Sequence, residues 1–287
     1  MMFIFDTDTP ITKVIPNLIK KYDECGVIRY IAPGSANAWK CITISEARAI
    51  QATNGKIKLG LVYETNGKPR GTATGANDGV YASLMLSRFG VPKGGFLAYT
   101  SDEDTPNNLV AVGQAFEAFF DQLKDKDGYM VNRVAYAAGA TYDYLLSKGF
   151  IDSKGRWPTQ SMGFNKTRAD IIAGDYDLRQ MLPMRVFDLD TDPEELHPGV
   201  TLDDLGFFIP NIPAPVLPDF VFPHTASSDD VIALQTALNY KNNAGLTIDG
   251  IYGAATTTAV DNFQKAHNLT IDGLAGHETI TTLKGLS

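Results

Sequence analysis

The sequence predicts an α/β protein in two parts: a (β/α)8 TIM-like barrel over residues 1–208 and a small all-α three-helix domain over 229–287. Three observations predict it. Strand-like and helix-like segments alternate through the first 208 residues, a proline-dense stretch covers 209–228, and the residues after it repeat a short motif. With 287 residues and 44% hydrophobic content, the chain can bury one large core and one small one.

The strand candidates, in order, are Phe3 to Phe5, Val27 to Tyr30, Lys58 to Tyr63, Phe96 to Ser101, Tyr129 to Tyr136, Arg156 to Gln160, Tyr176 to Gln180 and Val186 to Leu189. Between them, apolar residues recur at helical spacing in Lys13 to Glu24, Ser45 to Ala52, Asp78 to Phe89, Leu109 to Leu123 and Thr141 to Ser147. This alternation fits a barrel of parallel strands, with the helices after the sixth and seventh strands short or missing. A doubly wound open sheet is the runner-up. It would normally carry a glycine-rich phosphate turn after its first strand, and Asp6, Thr7, Asp8, Thr9 and Pro10 are nothing like one.

The stretch from Pro210 to Pro223 is too proline-dense for helix or central strand and reads as an extended linker. Beyond it, Leu246 to Thr256 is echoed 23 residues later by Leu269 to Thr279, with seven of eleven positions identical. In each copy an Asp-Gly pair suits a tight turn, a second glycine permits close or left-handed backbone, and a Thr caps the helix that follows. Val231, Leu234 and Leu238, then Ala259, Val260 and Phe263, repeat at helical spacing.

Composition narrows the function. A formal net charge of −8, with no stripe of Lys and Arg, argues against nucleic acid. No apolar run approaches a membrane span, and Met1 and Met2 lead into Phe3 with no basic region or visible secretion signal. Cys25 and Cys41 read as structural. All four histidines, His197, His224, His267 and His277, lie at or beyond the end of the barrel. That argues against a Ser-His-Asp or Cys-His nucleophile and against a His-ligated zinc, the usual means of cutting peptide or amide bonds.

In a barrel of this kind the active site lies at the C-terminal ends of the strands, and there carboxylates recur. Asp6 ends the first strand, Glu64 the third, Asp102 and Asp104 the fourth, and Asp188 the eighth. In extended chain Asp102 and Asp104 would face one side. Paired carboxylates are what glycosidic cleavage needs, one protonated to donate to the leaving oxygen and one ionised. The bland alternative is that these residues are turn and cap aspartates. Arg29, Tyr30, Tyr63, Tyr99, Tyr136, Trp157, Gln160 and Gln180 suit a cleft that stacks sugar rings and hydrogen-bonds their substituents.

Two resemblances follow. Leu234 and Gln235, Asp249 and Gly250, Gly253, Thr256, Phe263 and Gln264, Asp272 and Gly273, Gly276 and Thr279 resemble the three-helix peptidoglycan-binding domain. The resemblance implies that Asp249, Gly250, Tyr252, Gly253, Phe263, Gln264, Asp272 and Gly273 serve cell-wall binding. In the first 208 residues the carriers are Phe5-Asp6-Thr7, Arg29-Tyr30, Thr43 to Glu46, Leu61 to Glu64, Ala98 to Asp104, Ala135 to Ala140 and Trp157 to Gly163. These resemble the glycoside-hydrolase-like barrel related to family 25 lysozymes. By that similarity the Asp-x-Glu pair ending the fourth strand corresponds to Asp102 and Asp104, with Asp where the family has its Glu proton donor. The acid role then falls to Glu64 or Asp104, with Asp102 ionised and Asp6 orienting the substrate.

The expected function is a lysozyme-like muramidase of the phage endolysin kind, cutting the β-1,4 bond between N-acetylmuramic acid and N-acetylglucosamine. A non-catalytic wall-binding protein with a degenerate barrel stays open beside it. Bacterial peptidoglycan is the expected partner. A monomer with no cofactor, no metal and no membrane insertion is expected, held in the host cytoplasm until lysis and acting then at the wall.

Overall fold

The protein is described by a computed structural model that covers residues 3–34, 39–65, 68–104, 107–159, 164, 166–180, 184–186, 189–212, 217–223, 226, 228–242, 244–246 and 250–286. It divides into two compact units, 1–212 and 213–287.

In the first unit the order is β1 (Phe3–Asp6), α1 (Ile15–Lys21), β2 (Cys25–Ile31), α2 (Ile44–Gln51), β3 (Ile57–Tyr63), α3 (Gly71–Phe89), β4 (Gly95–Ser101) and α4 (Leu109–Asp121). A small hairpin follows, β5 (Lys124–Asp125) with β6 (Gly128–Tyr129), then β7 (Val131–Ala137), α5 (Gly139–Ser147), β8 (Arg156–Pro158) and α6 (Thr167–Ala173). The unit ends with β9 (Leu178–Gln180), β10 (Met184–Val186), β11 (Leu189–Leu196) and α7 (Leu202–Leu205). Strands β1, β2, β3, β4, β7 and β8 pair in parallel. Because both faces of such strands are covered, they read as near-continuous apolar runs; all seven residues of β4 are buried.

Strand β11 corrects the expectation of a uniformly parallel barrel, for it runs antiparallel to β1, β9 and β10. The physical reason lies in the connections. A parallel pair needs a crossover of a dozen or more residues, and the chain from Gln180 to Leu189 has no room for one. Consecutive segments must therefore fold back on each other. Val186 and Leu189, the two ends of the stretch read from sequence as the eighth strand, instead lie opposite each other in the antiparallel pair of β10 with β11, and β11 lies against β1. Just ahead of β9, Asp177 N–H donates to Arg156 O of β8 (3.0 Å), which nearly completes the ring. The result is a mixed, nearly closed barrel.

Its interior is packed by Ile4, Ile28, Val62, Phe96, Val134, Trp157 and Leu178, and plugged at the N-terminal end by Leu202, Leu205 and Phe207. A capping box sets the plug's helix: Thr201 Oγ1 accepts from Asp204 N (3.1 Å) while the Asp204 carboxylate accepts from Thr201 N (3.0 Å). The plug is then tied to the sheet by Phe96 N–H donating to Gly206 O and Leu59 N–H to Phe208 O, both 2.7 Å. Glycine is required opposite it. A Cβ on Gly26 would stand 2.8 Å from Leu202 Cδ2, and one on Gly60 would stand 3.0 Å from the Phe207 ring. With that end filled by the plug, a cavity lies at the C-terminal end of the strands.

The second unit holds α8 (Ser228–Asn242), α9 (Ala254–Ala266) and α10 (His277–Gly285). Val231, Leu234, Leu238, Val260, Phe263, Ile280 and Leu283 meet in one core. The proline-rich stretch is apportioned between the units. Ile212 is buried in the first, its N–H on Gln51 Oε1 (3.1 Å), whereas Val221 is buried in the second and donates to Ala275 O (2.8 Å). No helix among the described residues is long and apolar enough to cross a membrane.

Candidate functional site

Seven strands send side chains into one cavity of about 180 Å³ at the C-terminal end of the barrel: Asp6, Tyr30, Val62 and Glu64, Thr100 and Asp102, Tyr136, Trp157, and Gln180. The rule that selects them is the two-residue period of a strand. Val62 and Glu64, and likewise Thr100 and Asp102, are two apart and share the inward face, and the residues between them turn to the helices.

Asp6 is buried and its Oδ2 accepts from the Tyr30 hydroxyl (3.1 Å). Tyr136 O–H donates to Gln180 Oε1 (2.8 Å), and Trp157 Nε1 donates to Glu194 Oε2 (2.8 Å) beside the cavity. Glu64 Oε1 accepts from Lys40 Nζ (2.8 Å), whose ammonium also sits 5.0 Å from the centre of the Tyr30 ring. Asp102 keeps an exposed face to solvent, and the partial burial of its carboxyl, then the like charge of Glu64, raise it above its ordinary carboxylate value. Tyr30 and Tyr136 are pushed up as well, first by burial and then by surrounding carboxylates, so both stay protonated donors.

Arg29, Tyr63 and Tyr99 do not join them. Arg29, fully buried, faces α2, where its Nε meets Glu46 Oε1 at 2.8 Å and its NH1 donates to Thr7 O. Tyr63 and Tyr99 both donate to the Asp78 carboxylate of α3, at 2.7 and 2.5 Å. Asp104 is exposed and off the cavity. Strand β4 stops at Ser101, so the alternation that would have aligned Asp104 with Asp102 no longer applies. Glu103 turns away to Arg70. Gln160 and Asp188 lie outside the described residues. The cysteines are both free, and burial followed by the Glu24 charge pushes the Cys25 thiol up to about 12.

Four residues at or beside the site escape the sequence reading: Val62, Thr100, Lys40 and Glu194. The period of two from Glu64 and Asp102 could have found the first two. Elsewhere, Asp143, Asp170 and Asp175 bring carboxylate oxygens within 4.8 Å of one another, but Lys166 and Arg156 already pair with them.

In the C-terminal unit the repeated motif turns inward. Gln264 is buried and joins five groups: its amide donates to Asp272 Oδ1 (2.8 Å), Leu274 O (2.9 Å) and Thr279 Oγ1 (3.1 Å), and its oxygen accepts from Asp272 N (3.0 Å) and Gly273 N (3.1 Å). Gln235 does the same one repeat earlier, to Ile251 O (3.1 Å), Thr256 Oγ1 (3.0 Å) and Gly250 N (3.0 Å). Gly250 and Gly273 both take positive φ, +73° and +67°. Tyr252 O–H donates to Gly273 O (2.8 Å), Phe263 is wholly buried, and Gly253 precedes α9 as its N-cap. Asp249 lies outside the described residues. Among the described residues Gly250, Tyr252, Gly253, Phe263, Gln264, Asp272 and Gly273 thus take part in the turns and core, and beside them each repeat exposes an apolar side chain after its Asp-Gly pair, Ile251 and Leu274.

Among solved structures, the chain is similar to the Mycobacterium tuberculosis Tat-secreted protein Rv2525c in complex with L-tartrate. Identity is 17%, covering 69% of this chain and 97% of that one, with a TM-score of 0.49. An uncharacterized B. stearothermophilus protein is 15% identical, covering 71% and 99%, with a TM-score of 0.49. The SleB N-terminal domain is 38% identical, covering 24% of this chain and 94% of that one, with a TM-score of 0.23. No curated protein matches the chain. Residues 227–283 match the family described as a putative peptidoglycan binding domain.

Proposed function

We propose that this protein is a peptidoglycan hydrolase that cuts the wall's glycan backbone as a muramidase does, at the β-1,4 bond between N-acetylmuramic acid and N-acetylglucosamine. The observation that carries the reading is one cavity lined by Asp6, Glu64 and Asp102, in a chain whose C-terminal segment matches a peptidoglycan-binding family. That segment would hold the chain on its substrate. The resemblance of the barrel's motifs to family 25 lysozymes supports the same chemistry.

Glycosidic cleavage needs a carboxylic acid that keeps its proton and a carboxylate that does not. Asp102 suits the first role, because burial and Glu64 raise it. Its acid partner by resemblance, Asp104, is off the cavity. Asp6, held by the Tyr30 hydroxyl on the opposite part of the strand order, suits the second, as nucleophile or as base for water. Glu64, bound to Lys40, supplies a like charge that favours the protonated form of Asp102.

The test is release of new reducing ends from purified wall, with loss of that release in Asp102→Asn and Asp6→Asn. Free amines without reducing ends would replace the glycosidase with an amidase or peptidase. The position of Asp104 favours one further reading, a wall-binding protein that cuts nothing. It predicts pelleting with the wall, no reducing ends, and identical behaviour in both variants.

A further inference from the structure

We propose that Trp39 is a stacking platform at the mouth of the barrel cavity, a subsite for a further sugar ring of a β-1,4-linked glycan strand and not for the peptide stems that the wall also carries. The inference rests on the reading of the cavity as a glycan site and says where the strand lies once it leaves the cavity.

Among the described residues of the first unit, Phe3 and Trp39 are the exposed aromatic side chains, Trp39 at 64%. Phe3 starts β1 at the plugged end of the barrel, and its ring meets those of Phe5 and Tyr22. Trp39 has no ring partner and no acceptor for its Nε1–H among the described residues. A single exposed apolar side chain is ordinary on a protein surface, so its position decides what it means. Trp39 belongs to the segment that leaves the C-terminal end of β2 and enters α2, at the same end as the cavity. The base of that segment is pinned to β2: Cys41 pairs with Tyr30, and Ile42 N–H donates to Tyr30 O at 2.9 Å. The next residue along, Lys40, reaches inward, with Nζ 2.8 Å from Glu64 Oε1 and 5.0 Å from the centre of the Tyr30 ring, and both of those residues line the cavity. The ion pair of its neighbour therefore holds Trp39 at the mouth, with the indole in solvent.

The size of the cavity calls for such a platform. About 180 Å³ is small beside the usual range of roughly 300–1,000 Å³ for ligand pockets, so a strand of several sugars must lie mostly outside it. A β-1,4-linked hexosamine carries its hydroxyl, acetamido and linkage substituents equatorially, which leaves C–H bonds on both faces of the ring. That apolar face suits the indole, and the free Nε1–H can donate to a hydroxyl or acetamido oxygen at the ring's edge. Every ring of the strand offers the same face, whereas a peptide stem offers no flat one. The contact is uncharged, and so is independent of which carboxyl in the cavity holds a proton.

Tryptophan fluorescence of the full chain tests the idea, because the C-terminal unit holds no tryptophan and Trp157 is buried in the cavity wall. Iodide should quench Trp39, and a β-1,4-linked N-acetylglucosamine tetramer should protect it while the monosaccharide and a soluble stem peptide do not. In Trp39→Ala, with binding read on Trp157, the tetramer should bind about tenfold more weakly, the scale of one aromatic stacking contact, and the monosaccharide as before. Trp39→Phe should recover part of the loss. The side chain is exposed, so the melting temperature should stay put. A tetramer that leaves Trp39 open to iodide overturns the proposal, as does protection by the stem peptide in its place. Equal tetramer binding in Trp39→Ala overturns it too, and so does an equal loss for monosaccharide and tetramer, which would mean a disturbed cavity. Reducing-end release from purified wall separates this from the underlying reading. Release with KM and tetramer binding unchanged in Trp39→Ala removes the platform and leaves the glycosidase. No release from wall, with the length-dependent loss intact, removes the glycosidase and leaves a glycan-binding mouth.

Discussion

Gln264→Leu should unfold the C-terminal unit selectively, and the size of the effect follows from what the side chain holds. Two of its five hydrogen bonds, to Thr279 Oγ1 and from Gly273 N, are buried, and three are partly buried. A leucine of similar volume fills the space but strands the Gly273 N–H and takes away the donor to Thr279 Oγ1, which keeps only its own long bond to Leu274 O (3.5 Å), at about 1–3 kcal/mol for each buried group left unsatisfied. Asp272 and Leu274 are both exposed, and their groups can turn to water. The net loss is then about 3 kcal/mol, which for a domain of this size lowers the midpoint by roughly 12–24 °C. Gln235→Leu breaks at least one buried bond and two partly buried ones and should cost about 2 kcal/mol or more.

The assay is built into the composition. Both tryptophans, Trp39 and Trp157, lie in the first unit, so tryptophan fluorescence follows the barrel while helical circular dichroism follows both units. The Gln264→Leu protein should show an early loss of helical signal with an unmoved fluorescence transition, and pelleting with purified wall should fail above that temperature. A shift below about 3 °C from either substitution would refute the view that these glutamines hold the repeats together.

Further outcomes follow from the barrel. Replacing Asp102 with Asn should abolish reducing-end release yet leave the barrel more stable at neutral pH. A carboxyl raised in the folded state binds protons that the unfolded chain has released, so its penalty grows as pH climbs from the ordinary value of 3.8 through the raised one; melting at several pH values checks the sign. Glu64→Gln removes a like charge that raises Asp102, so the proton donor should be lost sooner and the alkaline limb of the activity profile should move to lower pH. An unmoved limb would take Asp102 out of the acid role. Arg29→Met leaves Glu46 buried without its partner, at about 3–5 kcal/mol by denaturant titration, whereas a loss under 1 kcal/mol would mean that water reaches the site.

Strand periodicity decides how much of the site was legible. Asp6, Tyr30, Glu64, Asp102, Tyr136, Trp157 and Gln180 were reached by asking which polar and aromatic residues end each strand, and all line one cavity. The same question also drew in Arg29, Tyr63 and Tyr99, one residue out of phase. Sequence fixes the alternation but not which phase faces inward when both faces of a strand are covered, and each of these residues is buried on the helix side by a partner of its own, Glu46 or Asp78. The C-terminal repeat shows the converse. Its residues recur because a tight turn and a buried glutamine need them, so the motif reports the fold more directly than it reports a binding face.

Long-range partners lay beyond reach for a different reason. Lys40 meets Glu64 across 24 positions of chain, and Glu194 meets Trp157 across 37. Neither pairing has a local signal. Glu194 also sits in Asp192-Pro193-Glu194-Glu195, a run with poor intrinsic strand preference. It becomes strand because β1 and β9 pair with it from both sides, and those pairs exist because the short connection after Gln180 forces the chain to reverse. The departure from a parallel barrel and the unforeseen carboxylate beneath the cavity thus share one cause. A uniformly parallel eighth strand would run the other way through this position, and the side chain that anchors the Trp157 indole would have to come from another residue.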